Sequence, residues 1–288
     1  MEHLGSAAIA PLVSRERPRP NTPGPARLKP ASGQRVQLLG GSIDLLRPQE
    51  VLQYLADCAE ARQRTVIGNH NLHSLYLLPR TPGMRALYDV VDVVQLDSTP
   101  LVLFGKLLKL PIERHHRSTY LDWRDLFWRL ADQKGWRVIY IGGADGVAKR
   151  AAERLGVQYP GARIEALTGY FDSTPGGSVN RAVLAAIKVF EPDVVMVGMG
   201  MPRQEIWIAE NLHDLPHCPI LPVGAAFDYE AGVQKAAPRW MGQIGAEWLF
   251  RLAVDPKRLF RRYCAEPWFL IGPAIKDLKA ARKNADRS

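Results

Sequence analysis

Short apolar runs bounded by glycine and proline recur along the chain and alternate with amphipathic stretches. The runs at 65–68, 91–96, 137–141, 163–167, 194–197 and 220–223 have the length and β-branched content of buried strands. Helical periodicity fills 71–78, 99–108, 120–134, 146–156, 177–190, 203–212 and 238–252. Ordered structure is expected to begin near Val36, with a short turn and a helix between Gly40 and Leu55 and Pro48 in its first turn. Strands apolar on both faces, alternating with helices, predict an α/β fold: a mostly parallel Rossmann-like sheet with helices on both sides. Beyond Trp248 the chain turns basic and aromatic, interrupted by Pro256, Pro267 and Pro273, which suggests a helical appendage.

The pattern breaks down before Val36. Residues 1–34 are rich in Pro, Arg, Ser and Gly and cannot bury enough apolar surface to offset ordering, so a disordered arm is expected there. The α/β domain then occupies 35–247 and the appendage 248–288. Charge divides along the same lines. The net +9 resolves into +4 for residues 1–35, +6 for 251–288 and −1 for everything between. Basic ends want an anionic partner such as a membrane surface or a diphosphate. A near-neutral body without an aromatic-studded basic sheet argues against nucleic acid. No apolar run reaches the ~18–20 residues of a spanning helix. Three cysteines without metal-ligand spacing point to a reducing compartment and no structural zinc.

Candidate chemistry collects where strands end. The strand Val194–Val197 runs into a turn closing on Gly200, Pro202, Arg203, Gln204 and Glu205, and the strand Ile220–Val223 runs into Gly224 and Asp228. Small residues at carboxyl strand ends let a ligand approach the backbone, and a following helix N-terminus offers N–H groups to an anion. Asp97 follows another strand and should emerge on the same edge. Asn69 and Asn71 close a third strand. Two readings stand for Asn71, a hydrogen-bond donor to sugar hydroxyls or a helix N-cap. His70 and His73 lack the i, i+4 spacing of a zinc pair. Gly142 and Gly143 open a turn that resembles a phosphate-binding loop without being Gly-x-Gly-x-x-Gly.

Three segments in series carry a resemblance: Gly-Met-Gly-Met-Pro-Arg-Gln-Glu from Gly198, Val-Gly-Ala-Ala-Phe-Asp from Val223, and Glu-Trp-Leu-Phe-Arg-Leu from Glu247, the last leading to Arg261-Arg262-Tyr263. Together they resemble the WecG/TagA/CpsF family of bacterial glycosyltransferases, over nearly all the chain from about Thr65. The resemblance implies an inverting transferase that moves a mannose- or N-acetylmannosamine-type sugar. The donor would be UDP- or GDP-linked and the acceptor a polyprenyl-diphosphate saccharide, in exopolysaccharide or other envelope polymer synthesis. It implies Asp97 as general base and Arg117 beside it, with Asn69, Asn71, Thr119, Asp122, Gly142, Gly143, Gly200, Gln204, Glu205 and Asp228 around the substrates.

No Asp-x-Asp occurs, so no metal or other cofactor is implied. The leaving diphosphate would be met by Arg117 and by Arg251, Arg258, Arg261 and Arg262, which also suit an anionic membrane surface. Such an enzyme would sit in the cytoplasm, peripheral on the inner face of the plasma membrane; a homo-oligomer is compatible with the sequence. Among the departures from the family pattern are Ser98 and Tyr120 (Gly in the family) and Ala236 (Arg in the family). They keep a second reading open, a sugar-nucleotide-binding module without catalysis.

Overall fold

The computed structural model describes residues 28–30, 33–235, 237–238, 241 and 246–285, apart from the side chains of residues 258, 284 and 285. The expected disordered arm, residues 1–27 of it in particular, Ala236 and most of 238–246 therefore lie outside the described residues.

Six strands form one parallel sheet: β3 (Thr65–His70), β4 (Val93–Leu96), β5 (Arg137–Gly142), β6 (Arg163–Leu167), β7 (Val194–Gly198) and β8 (Pro219–Pro222). Their spatial order is β4-β3-β8-β7-β5-β6. The crossovers are α2 (Leu72–Leu77) with α3 (Pro82–Tyr88), α4 (Thr99–Leu107) with α5 (Tyr120–Lys134), α6 (Val147–Gln158), α7 (Ser178–Phe190) and α8 (Arg203–Asn211). Alternation along each strand splits the core into two layers. Val138, Tyr140, Val194 and Met196 face one cluster with Leu55, Phe127, Trp128 and Phe227. Ile139, Ile141, Val195 and Val197 face the other with Val183, Ile187, Trp207 and Ile208. Both faces of the sheet are covered, so every crossover returns the chain to the same edge.

An antiparallel hairpin, β1 (Arg35–Leu38) with β2 (Gly41–Asp44), stands where a turn leading to a helix was expected; the helix, α1 (Pro48–Glu60), starts later. Asp44 ties the hairpin to the sheet. Its carboxylate accepts from Arg35 Nε and Nη2, both 2.8 Å, and from the Val94 N–H at 2.8 Å.

After β8 come α9 (Ala226–Glu230), α10 (Glu247–Val254), α11 (Pro256–Phe260), a π turn at Arg261–Ala265, a 3-10 turn at Glu266–Leu270 and α12 (Ile271–Ala285). Pro256, Pro267 and Pro273 sit in the first turns of their segments, where a missing N–H costs nothing, so they redirect this appendage without unfolding it. Leu270, Ala274 and Leu278 pack on a third cluster with the hairpin and with Leu101, Val102 and Leu108 of α4.

Candidate active site

All six carboxyl strand ends open into one cavity of about 430 Å³. Asn69 and Asn71 come from the β3 end, Asp97 from β4, Gly143 from β5, Gly169 from β6, Gly198 and Gly200 from β7, and Gly224 from β8. Strand ends meet this closely because two positions have no side chain. A Cβ on Gly142 would lie 2.5 Å from the Gly198 carbonyl oxygen, and one on Gly198 would run into the Tyr140 hydroxyl and the Gly224 carbonyl. Gly142 is thus buried between strands, its size demanded by neighbouring backbone, whereas Gly143 faces the cavity. That corrects the expectation that both back a ligand.

Asp97 lines the cavity and also a smaller one of about 200 Å³ beside it, lined further by Leu72, Ser98, Pro100, Arg117, Trp248 and Pro267. Its N–H bonds the His70 carbonyl at 2.8 Å, and the residue that caps α4 is Ser98, so the carboxylate is not used as a cap. Ser98 has φ −165°, extended backbone open to any residue, so the missing family glycine costs nothing. Burial pushes the Asp97 carboxyl up to about 6, against Arg251 and Arg117, which pull it down.

Arg251 and Arg262 reach the same space from the appendage and line both cavities. Among the described residues neither guanidinium forms a salt bridge; their charge is felt by Tyr229, Tyr263, Asp97 and Glu247. Burial, with Arg251 nearby, lowers Arg262 from its ordinary value. Two half-buried cations near each other are a receptor for an anion.

Arg117 is placed differently from expectation. Its Nη2 bonds Glu247 Oε2 at 2.6 Å, and Nη1 lies 3.7 Å from Asp122. It therefore latches the appendage to the domain next to Asp97, with its charge already compensated. A second latch pairs His73 with Glu266 at 2.5 Å.

Asn71 caps α2: its Oδ1 accepts from the Ser74 N–H at 3.0 Å, which leaves its amide NH₂ for the cavity. Asn69 Nδ2 donates to the Pro222 carbonyl at 3.1 Å. Thr119 and Asp122 form the capping box of α5; Thr119 lines the cavity and Asp122 does not, a correction, because its carboxylate accepts from Thr119 N and Oγ1. Tyr120, where the family has Gly, donates to Glu230 Oε1 at 2.6 Å and accepts from Trp128 Nε1 at 2.9 Å, and Arg124 clasps the same carboxylate through two bonds. That network fixes α9, which carries Asp228 to the cavity wall within reach of Gly143.

Gln204 faces the cavity, and its Oε1 accepts the N–H groups of Gly200 and Gly224, each at 3.2 Å, tying the β7 and β8 turns together. Its Nε2 donates to Glu205 Oε1 at 2.7 Å. Glu205 itself is wholly buried and does not line the cavity, which corrects its placement among substrate ligands. Arg261 is exposed, away from the cavity, and the Arg258 side chain lies outside the described residues. Sequence reasoning did not assign Tyr229, Glu247 and Tyr263, which line the cavity; Glu247 was legible in the quoted Glu-Trp segment.

Comparison with known proteins agrees with the geometry. The chain is 26% identical over 231 residues to the N-acetylglucosaminyldiphosphoundecaprenol N-acetyl-beta-D-mannosaminyltransferases of Staphylococcus aureus strains NCTC 8325 / PS 47 and COL, covering 76% of this chain and 88% of each relative. The family model for glycosyl transferases of the WecG/TagA/CpsF type matches residues 36–284, so the chain belongs to that family and is a glycosyltransferase.

Proposed function

We propose that this enzyme transfers a sugar from a nucleotide-diphosphate donor to a polyprenyl-diphosphate-linked saccharide by a single inverting displacement without a metal. The carrying observation is that one cavity joins Asp97, elevated to about 6, to the two appendage arginines. The acceptor hydroxyl attacks the anomeric carbon while Asp97 takes its proton. The bond to the diphosphate breaks, and the departing electron pair is stabilised by Arg251 and Arg262. Asn69, Asn71, Thr119, Gly143, Gly200, Gln204 and Asp228 surround the donor, and Arg117 orients the appendage. The names of the relatives favour N-acetylmannosamine over mannose as the sugar and give no support to an exopolysaccharide product in particular.

Residues 35–247 would form the catalytic domain and 248–288 an appendage that completes the site and docks on the inner face of the plasma membrane. No helix among the described residues is long and apolar enough to cross a membrane. Every exposed charged side chain described between 246 and 285 is a Lys or Arg, which supports docking on anionic lipid. The test is transfer to a synthetic polyprenyl-diphosphate N-acetylglucosamine from a panel of UDP- and GDP-sugars with EDTA present. Turnover with N-acetylmannosamine carried on UDP or GDP is expected. Nucleotide binding without turnover on any donor would replace this reading with the binding module.

Glu205 supplies a second check on the donor side. Burial holds its carboxyl up to about 7, and its Oε2 has no partner among the described residues. A carboxyl raised this way favours the fold while protonated, and that contribution is lost as pH rises through about 7. Glu205→Gln keeps an acceptor for Gln204, so near-normal donor KM with a flatter stability profile between about pH 4.5 and 7 is expected. Glu205→Leu strands the Gln204 amide, at about 1–3 kcal/mol, and should raise donor KM roughly tenfold. Equal KM in the two variants would show that Glu205 does not act through Gln204.

A further inference from the structure

Helix α4 begins two residues after Asp97 and is apolar almost all the way round. Leu101, Val102 and Leu108 are buried against the hairpin and α12. The opposite stripe, Pro100, Leu103 and Leu107, follows i, i+3, i+7 spacing, and Leu103 and Leu107 are 63% and 66% exposed. A helix apolar on every side belongs in a core or in contact with hydrocarbon, and among the described residues nothing covers the outer stripe of this one.

Two further facts select the occupant. The exposed side chains between residues 99 and 110 are Pro100, Leu103, Lys106, Leu107 and Lys109, apolar or cationic without exception, and no acid stands between Asp97 and Glu113. Apolar residues interleaved with lysines match the boundary between acyl chains and anionic headgroups. The stripe also starts at the lip of the 200 Å³ side cavity that Pro100 lines together with Trp248 and Pro267 of the appendage. Beyond that far lip the appendage exposes Trp268, 71%, beside Pro267.

We propose that the outer face of α4 is a bilayer contact in its own right, separate from the C-terminal tail. It inserts Leu103 and Leu107 at the headgroup–acyl boundary of an anionic membrane, with Lys106 and Lys109 on the phosphates. The mouth of the side cavity then opens between two membrane-seated lips, and a lipid-linked acceptor reaches Asp97 without leaving the bilayer. This rests on the membrane docking proposed above and adds a surface to it.

The experiment is sedimentation of the full chain with vesicles of phosphatidylglycerol and phosphatidylcholine, and with phosphatidylcholine alone. Wild type, Leu103→Glu/Leu107→Glu and Lys106→Glu/Lys109→Glu are compared, each also assayed with a short-chain, water-soluble acceptor and sized in solution. The expected result is binding of wild type to the anionic vesicles. Each double variant should show at least a tenfold weaker partition, with turnover on the soluble acceptor retained. The lysine variant alters exposed charges alone and keeps the test valid if the leucine variant folds poorly. Absence of wild-type binding would sink both the docking and this surface. Wild-type binding unchanged in both variants would sink α4 and leave the tail. Self-association of the wild type that the leucine variant abolishes, with vesicle binding intact, would overturn the proposal in favour of an interface between copies.

Discussion

Asp97→Asn is expected to abolish transfer while making the protein more stable. The carboxylate sits where the two cavities join, the place at which an acceptor hydroxyl and a donor sugar can meet. Loss of a positioned base costs roughly 10²–10⁴ in kcat. The stability effect follows from the elevated carboxyl, about 6 in the fold against an ordinary 3.8. The folded state holds this proton more tightly than the unfolded chain does. Stability is therefore fully present below about pH 4 and is lost as pH rises through 6. At neutral pH the ionised side chain costs about 3 kcal/mol, which the neutral amide avoids. Thermal melting at pH 7.5 should rise by roughly 6–12 °C, and the gain should vanish at pH 4. In the wild type, kcat/KM should climb with pH through about 6 and then level. A variant that keeps a tenth of wild-type turnover would remove Asp97 from the base role, whatever its melting temperature.

The edge that carries Asp97 was legible because its signal is local. A buried apolar run tells where a strand ends, and parallel connection puts every such end on one side. Asp97, Asn69, Gly200 and Asp228 consequently fell at the cavity from the sequence alone. What the sequence hid depends on partners far away. Arg117 reads as a free guanidinium until Glu247, 130 residues on, is brought against it. Glu205 reads as a helix-start acid at the surface until α8 turns it under Gln204. The β1–β2 hairpin shows the same effect in the backbone. Its turn is Leu39-Gly40, with φ of 52° and 81°, where a local signal would be Asn-Gly. Leucine accepts that conformation because its side chain is buried and its N–H donates to Asp277 of α12 at 2.7 Å. Tertiary contact set the turn, so no window around residue 40 could announce it.

Removing the appendage arginines should be as damaging as removing the base, with the opposite electrostatic sign. Arg251 and Arg262 are half-buried near each other, and Arg251 is one of the influences that lower Arg262. Like charges held together out of water are unfavourable until an anion arrives, so the empty site carries a cost that diphosphate binding relieves. Arg262→Ala should therefore leave the melting temperature of the unliganded protein unchanged or higher, whereas Arg251→Ala removes a cation that offsets Asp97 and Glu247 and should lower it. Hydrogen bonds to charged groups contribute about 1.5–3 kcal/mol each, so either variant should weaken nucleoside diphosphate binding by roughly 10–100-fold in calorimetry. The loss in kcat/KM should be larger, because charge on the leaving diphosphate grows as the bond breaks and the guanidiniums meet it in full only in the transition state. Lysine at either position restores the charge without the planar fork and should recover binding better than turnover. Arg117→Ala separates the two roles of cations at this edge. Its guanidinium is already bonded to Glu247, so its loss should free the appendage, raise KM for both substrates and destabilise the unliganded protein. Nucleoside diphosphate affinity unchanged in both Arg251→Ala and Arg262→Ala would mean that the pair receives some other anion, and the diphosphate would have to be sought at the glycine turns of β5 and β7.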